Sequence, residues 1–228
     1  MFAPIVRALS QLDDPVFRDV LVRSLAWSVA CFAALFAGAV WIVHHGLQLH
    51  GWLSGAADIL GSVAASLLAL WLFLPVAAGI GTLYLDRIAD AVERRYYPSL
   101  PPPRGAPVIE QAWDGISVGL KVLALNIVAL IMAFLLPGVG FLSGWLIAAY
   151  AIGRGLFVTI AMRRMPRPRA ELLYRHCRVL ILTQGAILAL AAYVPILNLL
   201  IPVVGAACMV HILDRALTTD EKFRRGLV

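Results

Sequence analysis

The feature that most constrains this chain is a long uncharged run in its middle. No charged residue lies between Lys121 and Arg154, and the run is interrupted near its centre by Pro137-Gly138, within the stretch FLLPGVG. One membrane span takes about 20 apolar residues, so the run is long enough for more than one crossing. It predicts either two spans joined by a tight turn or a hairpin that enters the membrane and returns to the same side.

Composition places the whole chain among membrane proteins. Of its 228 residues, 61% are hydrophobic and 14% are charged, whereas an ordinary soluble domain is about 25% charged. The net charge of +6 then indicates cytoplasmic segments rich in lysine and arginine rather than nucleic-acid binding, for which no motif is present. Nucleophile elbows, His-Glu-x-x-His motifs and dinucleotide fingerprints are also missing, so we expect no enzyme, no metal site and no cofactor.

Two spans are predicted in the N-terminal half, over residues 24–43 and 59–85, because each is apolar and long enough to cross a bilayer. A helix is expected to lead into the first span. Asp13 or Asp14 can cap it, and Pro15 suits its first position.

An amphipathic segment and a proline-rich connection follow the second span. In residues 86–97, Ile88, Val92 and Tyr96 share a helical face opposite the charged residues. This pattern predicts a helix that lies along the membrane interface. The prolines of residues 98–107 cannot continue a helix and predict a stiff, exposed connection.

A weak repeat organises the second half of the chain. A polar lead-in is followed by an apolar helix, a proline break and another apolar stretch. The repeat predicts two hairpins, over about residues 115–160, broken at Pro137, and about residues 179–213, broken at Pro195 and again at Pro202.

The arms of the second hairpin are short for full crossings. Residues 180–194 reach about 22 Å as a helix, and residues 203–213 reach about 16 Å. Since the hydrocarbon core is about 30 Å thick, these lengths favour partly penetrating hairpins over four full spans. Turns at membrane depth must be buried in protein or line a water-filled cavity, which favours a transport function.

The basic clusters can all lie on one side of the membrane. They precede the first span, follow the second, separate the two hairpins at residues 163–178 and occupy a C-terminal tail at residues 214–228. The excess of lysine and arginine on cytoplasmic segments then predicts that the N- and C-termini are both cytoplasmic.

This order of segments resembles the bacterial sulfate permease CysZ family, which shares the etoposide-induced-protein domain. The resemblance rests on Pro137-Gly138-Val139-Gly140, Pro195-Ile196-Leu197-Asn198 and the later stretch PVVGAA, and it extends over about residues 10–216. It implies an α-helical protein of the cytoplasmic membrane with two long transmembrane helices and two partly penetrating hairpins. It also implies homo-oligomers that admit sulfate for cysteine synthesis.

The resemblance further implies an anion site just before the first span. Members of the family tend to carry a Gly-Leu/Ile-Arg-Arg element there, and the matching residues are Val16-Phe17-Arg18-Asp19. Arg18 is the implied anion contact, with the amides of Val16 and Phe17 assisting. Asp19 replaces the second arginine, and Arg23, about one turn further on, is the second candidate for a positive partner.

The predicted fold is therefore an all-α integral membrane protein of one domain, with two long transmembrane helices, two re-entrant helical hairpins and interfacial amphipathic helices. The predicted function is transport of a small inorganic anion, sulfate first, across the bacterial cytoplasmic membrane by a homo-oligomer embedded in the lipid bilayer. The alternative is a non-transporting membrane scaffold that has kept the fold and lost the sulfate site. The residues expected to shape the pore-facing turns are Pro137, Gly138, Gly140, Pro195, Asn198 and Pro202.

Overall fold

The computed structural model describes residues 3–46, 61, 63, 84–136 and 139–219, and within these ranges the chain is helical and contains no strand. The all-α prediction is confirmed for this part of the chain. Its helices, in chain order, are α1 (Ala3–Leu9), α2 (Pro15–Gly46), α3 (Leu85–Tyr96), α4 (Val108–Leu135), α5 (Val139–Met162), α6 (Arg167–Ala191) and α7 (Pro195–Thr219).

Helix α2 begins as its sequence predicts. Asp14 Oδ1 accepts a hydrogen bond from the Val16 amide at 2.9 Å, and Pro15 is the first helical residue. The helix has 32 residues and runs to Gly46, slightly beyond the predicted end of the first span. The second predicted span, residues 59–85, lies almost entirely outside the described residues.

Within the described residues, four helices are long and apolar enough to cross a membrane: Pro15–Gly38 within α2, the whole of α4 and of α5, and Leu197–Thr218 within α7. Helices α4 and α5 have 28 and 24 residues, or about 42 and 36 Å. Only 6% of the apolar window is buried in the first span and in α4, whereas 72% of the α7 window is buried inside the protein. Helix α7 is thus the central element, and α2 and α4 present their apolar surfaces outward.

The predicted helix break at Pro202 is wrong. Pro202 lies inside α7, which runs without interruption from Pro195. A proline inside a helix leaves the carbonyl four residues earlier without its partner, but neighbouring helices in a membrane protein can compensate for that loss. Here the following turns are packed tightly, since Val203, Ala206 and Ala207 are almost completely buried. Residues 203–213 are therefore not a separate short helix, as the length argument for partial hairpins assumed, but part of the longer helix α7. Partial penetration of the membrane stays a prediction.

Helices α5 and α6 form the most extensive helix pair of the described structure. They cross at two glycines, Gly153 and Gly185. A Cβ atom added at Gly185 would lie 2.3 Å from the Ala149 carbonyl oxygen and 2.8 Å from Gly153 Cα. Backbones approach this closely only where side chains are missing, which is the usual reason for small residues at membrane helix crossings.

The apolar face predicted for the segment after the second span is present in α3. Ile88, Ala91 and Val92 are buried, and α3 packs chiefly on α7. The face is therefore covered by protein. Tyr96, predicted to share it, is 36% exposed and sits edge-on against His211 of α7.

A buried hydrogen-bonded group attaches the N-terminus to α7. Gln11 Nε2 lies 2.9 Å from His211 Nε2, and Tyr97 Oη lies 2.7 Å from His211 Nδ1. An amide nitrogen only donates, so His211 Nε2 accepts and the neutral ring donates from Nδ1 to Tyr97. Burial raises the pKa of the Tyr97 phenol, which keeps that group protonated. This arrangement holds α1 and the end of α3 against the same helix.

Candidate functional site

A cavity of about 650 Å³ lies between α4, α5 and α7. On α4 its lining runs from Gln111 to Val122, about 16 Å along the helix axis. The lining is mostly apolar, with Gln111, Asp114 and Thr159 as its polar members. On α4 and α5 the cavity therefore occupies the half of the helix that lies nearer the basic α5–α6 connection.

Three glycines keep this cavity open. Gly115 and Gly119 on α4 and Gly155 on α5 line it, and a Cβ atom added at any of them would meet no atom within 4 Å. These glycines are not required by close helix packing, unlike Gly153. Their absent side chains leave space that larger residues would fill.

A group of four charged residues, which we call the Asp114 cluster, lies at the edge of the cavity. It consists of Asp114 on α4, Arg154 on α5, and Arg167 and Glu171 on α6. Arg154 donates to both oxygens of Asp114 at 2.8 Å and to Glu171 at 2.7 Å. Arg167 Nε donates to Asp114 Oδ1 at 2.8 Å. The cluster thus joins three helices through charge-assisted hydrogen bonds.

Burial makes the Asp114 cluster energetically sensitive. Asp114 is 5% exposed and Arg154 is 2% exposed. Two arginines and two carboxylates give a formally neutral group, which is the condition under which charges are tolerated in a membrane-spanning region. Removal of one member of such a buried set leaves its partner uncompensated and costs several kcal/mol, on the order of 3–5.

A second ionic group connects α3 to the α5–α6 connection. Arg163 donates to Asp86 and Glu93, at 2.8 and 3.1 Å, and also to Asp90. Arg164 Nε donates to the same Glu93 at 3.0 Å. Glu93 is thereby a buried carboxylate between two arginines, like Asp114, but it does not line the large cavity.

The proline-rich connection is exposed, as predicted, and also anchored. The amides of Gly105 and Ala106 donate to the carbonyls of Arg163 and Met162 at 2.8 and 2.7 Å. Gln111 of the cavity wall donates to the Ala106 carbonyl at 2.9 Å. The connection therefore fixes the start of α4 relative to the end of α5.

The structure does not gather the predicted anion residues into one pocket. Arg18 is exposed, Phe17 is fully buried, and the Val16 amide is occupied by a carboxylate oxygen of its own chain. Arg23 pairs with Asp19 at 2.7 Å on the surface. A small cavity of about 330 Å³ lies nearby, and of the four predicted residues it is lined by Val16 alone.

The predicted turn residues are dispersed. Pro137 and Gly138 lie outside the described residues. Gly140 faces the preceding arm of its hairpin, where an added Cβ would lie 2.6 Å from Ala133 Cβ. Pro195 begins α7 and Asn198 lies in its first turn, with its amide bonded to the Val194 carbonyl. Of the predicted turn residues that the structure describes, Pro202 alone lines the large cavity, and it lies away from any turn.

Sequence reasoning missed the Asp114 cluster. It treated Arg154 as the end of an uncharged run, although the apolar pattern continues to Met162 in the same helix. An arginine inside an apolar helix is a signal in itself, because it requires a buried partner. The identity of that partner, 40 residues earlier, could not be read from local sequence.

These features define a multi-pass α-helical membrane protein with a partly charged cavity among its helices. Residues 5–202 match the model of the family described as Sulfate transporter CysZ/Etoposide-induced protein 2.4. The chain belongs to this family, which is a family of transporters rather than of enzymes. The matched range includes the whole Asp114 cluster. Comparisons with curated proteins and with solved structures found no significant match.

Proposed function

We propose that this protein carries sulfate, as a small inorganic anion, across the bacterial cytoplasmic membrane for use in sulfur assimilation. The observation that carries the proposal is a cavity of about 650 Å³ between candidate spanning helices, in a chain of the sulfate transporter family. Asp114 lines this cavity, and two arginines bond to its carboxylate. A small oxyanion needs polar partners along its path, because lipid offers none. The Asp114 cluster supplies charged groups beside this cavity.

The proposed direction of the path follows the charges. The basic α5–α6 connection is taken as cytoplasmic, since lysine and arginine concentrate on that side. The cavity would then be a cytoplasmic vestibule. The exposed apolar surface of α4, which includes Leu120, Leu123 and Phe134, would face lipid or a second copy of the chain in a homo-oligomer.

Uptake of labelled sulfate into proteoliposomes tests the proposal. We expect the unmodified protein to exceed empty vesicles clearly, and Gly155→Leu to lower the initial rate about tenfold or more, because a leucine side chain would project into the cavity. Uptake no faster than that of empty vesicles would contradict the proposed function.

Gly144→Leu is the matched control. Gly144 lies on the same helix and is also half-buried with no atom within 4 Å of an added Cβ, but it does not line the cavity. We expect its uptake rate to stay within about twofold of the unmodified protein, since most substitutions away from packed or functional groups are tolerated. Equal losses in both variants would show that the cavity is not the path.

A membrane scaffold without transport remains the second candidate function. It is favoured by the start of α2, where Asp14 occupies the Val16 amide and Asp19 pairs with Arg23. A dianion would meet two carboxylates there. Sulfate uptake no faster than that of empty vesicles, combined with normal folding, would support the scaffold.

Arg18→Ala separates the predicted anion contact from the cavity. If Arg18 attracts sulfate to the entrance, its loss should lower uptake several-fold at low salt, and the difference should shrink as screening increases. The comparison is made at low and at physiological ionic strength in the same proteoliposomes. An unchanged rate at both would remove Arg18 from the site and leave the transport proposal standing.

A further inference from the structure

The Asp114 carboxylate is held as an oxyanion would be. Its two oxygens accept hydrogen bonds from the two terminal nitrogens of Arg154, each at 2.8 Å. Oδ1 also accepts a hydrogen bond from Arg167 Nε at 2.8 Å. A planar guanidinium binds two oxygens of a carboxylate, a phosphate or a sulfate in the same forked geometry. The two arginines therefore form a complete oxyanion site that is filled by a group of the protein itself.

The position of Asp114 leaves room for exchange. Asp114 lines the cavity of about 650 Å³, whereas Arg154 lies behind it and does not. The neighbouring Gly115 has no atom within 4 Å of an added Cβ. Space beside the carboxylate would let it rotate away from the arginines without a clash, and an anion in the cavity would be next to the groups it exposes.

Charge balance favours binding of an anion once Asp114 has moved away. With Asp114 in place, the cluster of two arginines and two carboxylates is formally neutral. When Asp114 turns away, Glu171 still bonds Arg154 at 2.7 Å, whereas the guanidinium of Arg167 has lost its contact with the Asp114 carboxylate. The site then has one uncompensated positive charge in a poorly solvated place, where attraction for an anion is strong.

We infer that Arg154 and Arg167 form the oxyanion site of the transport path, and that Asp114 is an internal stand-in which the entering substrate displaces. Asp114 is then a specificity-determining residue, because an anion can displace it only if that anion binds the two guanidinium groups as strongly as the carboxylate does. The inference rests on the proposed function for its biological meaning, but the site can be tested without transport.

Thermal unfolding in detergent, titrated with sodium sulfate against sodium gluconate at equal ionic strength, tests the site. In Asp114→Asn the competing charge is gone and the shape is kept, so the sulfate concentration for half-maximal stabilisation should fall about tenfold. The double variant Asp114→Asn/Arg154→Gln should lose this gain. A merely structural ion pair would lower the melting temperature of Asp114→Asn without any gain in sulfate response.

Glu93→Gln is the matched control. Glu93 is also a buried carboxylate between two arginines, Arg163 and Arg164, and each set keeps at least one further carboxylate after the change. Because Glu93 does not line the large cavity, its loss should destabilise the protein and leave the sulfate response unchanged. If Glu93→Gln increased the stabilisation by sulfate as much as Asp114→Asn does, the inference would be overturned.

Glu171→Gln keeps the inference falsifiable if Asp114→Asn does not fold. The Glu171 side chain is 29% exposed, so its neutralisation is better tolerated, and it also leaves the arginines with excess charge. It should increase the sulfate response in the same direction, and an unchanged response would overturn the inference. If the unmodified protein transports sulfate but neither Asp114→Asn nor Glu171→Gln shows a stronger sulfate response, the inference alone is refuted. If the variants show a stronger sulfate response but the protein does not transport sulfate, the proposed function alone is refuted.

Discussion

Gly185→Leu is expected to abolish folded protein. Even the first added carbon would lie 2.3 Å from the Ala149 carbonyl oxygen and 2.9 Å from the Gly153 amide nitrogen. Both are backbone atoms, which cannot move aside as a flexible side chain can. Helices α5 and α6 would have to separate along their largest contact, at a cost of about 3 kcal/mol or more.

The measurement is the yield of monodisperse protein after detergent extraction, followed by thermal unfolding of whatever remains. Gly144→Leu serves again as the control, because it adds the same side chain to α5 where no atom lies within 4 Å. It should give a normal yield. A Gly185→Leu protein that melts within a few degrees of the unmodified chain would show that the crossing is not as close as described.

Arg154→Ala is expected to have the second-largest effect. The side chains of Arg154 and Asp114 are 3% and 7% exposed. The change therefore leaves the buried Asp114 carboxylate paired with Arg167 as its remaining cation. Breaking a buried ion pair from one side costs about 3–5 kcal/mol. Denaturant or thermal unfolding in detergent should show a loss of this size.

Two further variants separate burial from charge. Arg175→Ala removes an arginine that pairs with Glu171 at 3.6 Å while 71% exposed, and an exposed pair of this kind contributes less than about 1 kcal/mol. Asp114→Leu/Arg154→Met removes both buried partners, and replacement of a whole buried pair by apolar residues is often neutral. We expect it to regain most of the stability. A double variant as unstable as Arg154→Ala would show that Arg154 acts through Glu171 rather than Asp114.

The apolar pattern predicted the helices well and their interruptions less well. The start of α2 at Pro15, capped by Asp14, and the apolar face of α3 with Ile88 and Val92 were both predicted correctly, because capping and periodicity are local properties of the chain. The sequence predicts a break at Pro202 because proline disrupts isolated helices. Burial of the turns that follow Pro202 in α7 outweighs that preference.

The candidate site was much less predictable. The residues chosen from the family resemblance, Arg18 and Phe17, lie at the start of α2, where one is exposed and the other is buried in the core. The turn residues were chosen because prolines stand out in sequence. The sequence does not show that Asp114 pairs with Arg154, since this contact depends on how α4 packs against α5.

The order of the residues was enough to predict that this chain is helical, that it belongs in a membrane and that its basic segments can share one side. These properties follow from the number of apolar residues in succession and from where the charges fall between them. Which charged residues pair with one another depends on how the helices pack. Asp114, Arg154 and Glu171 come from three helices, and their pairing depends on helix crossings such as the one at Gly153 and Gly185, where backbone atoms separated by many residues come into contact.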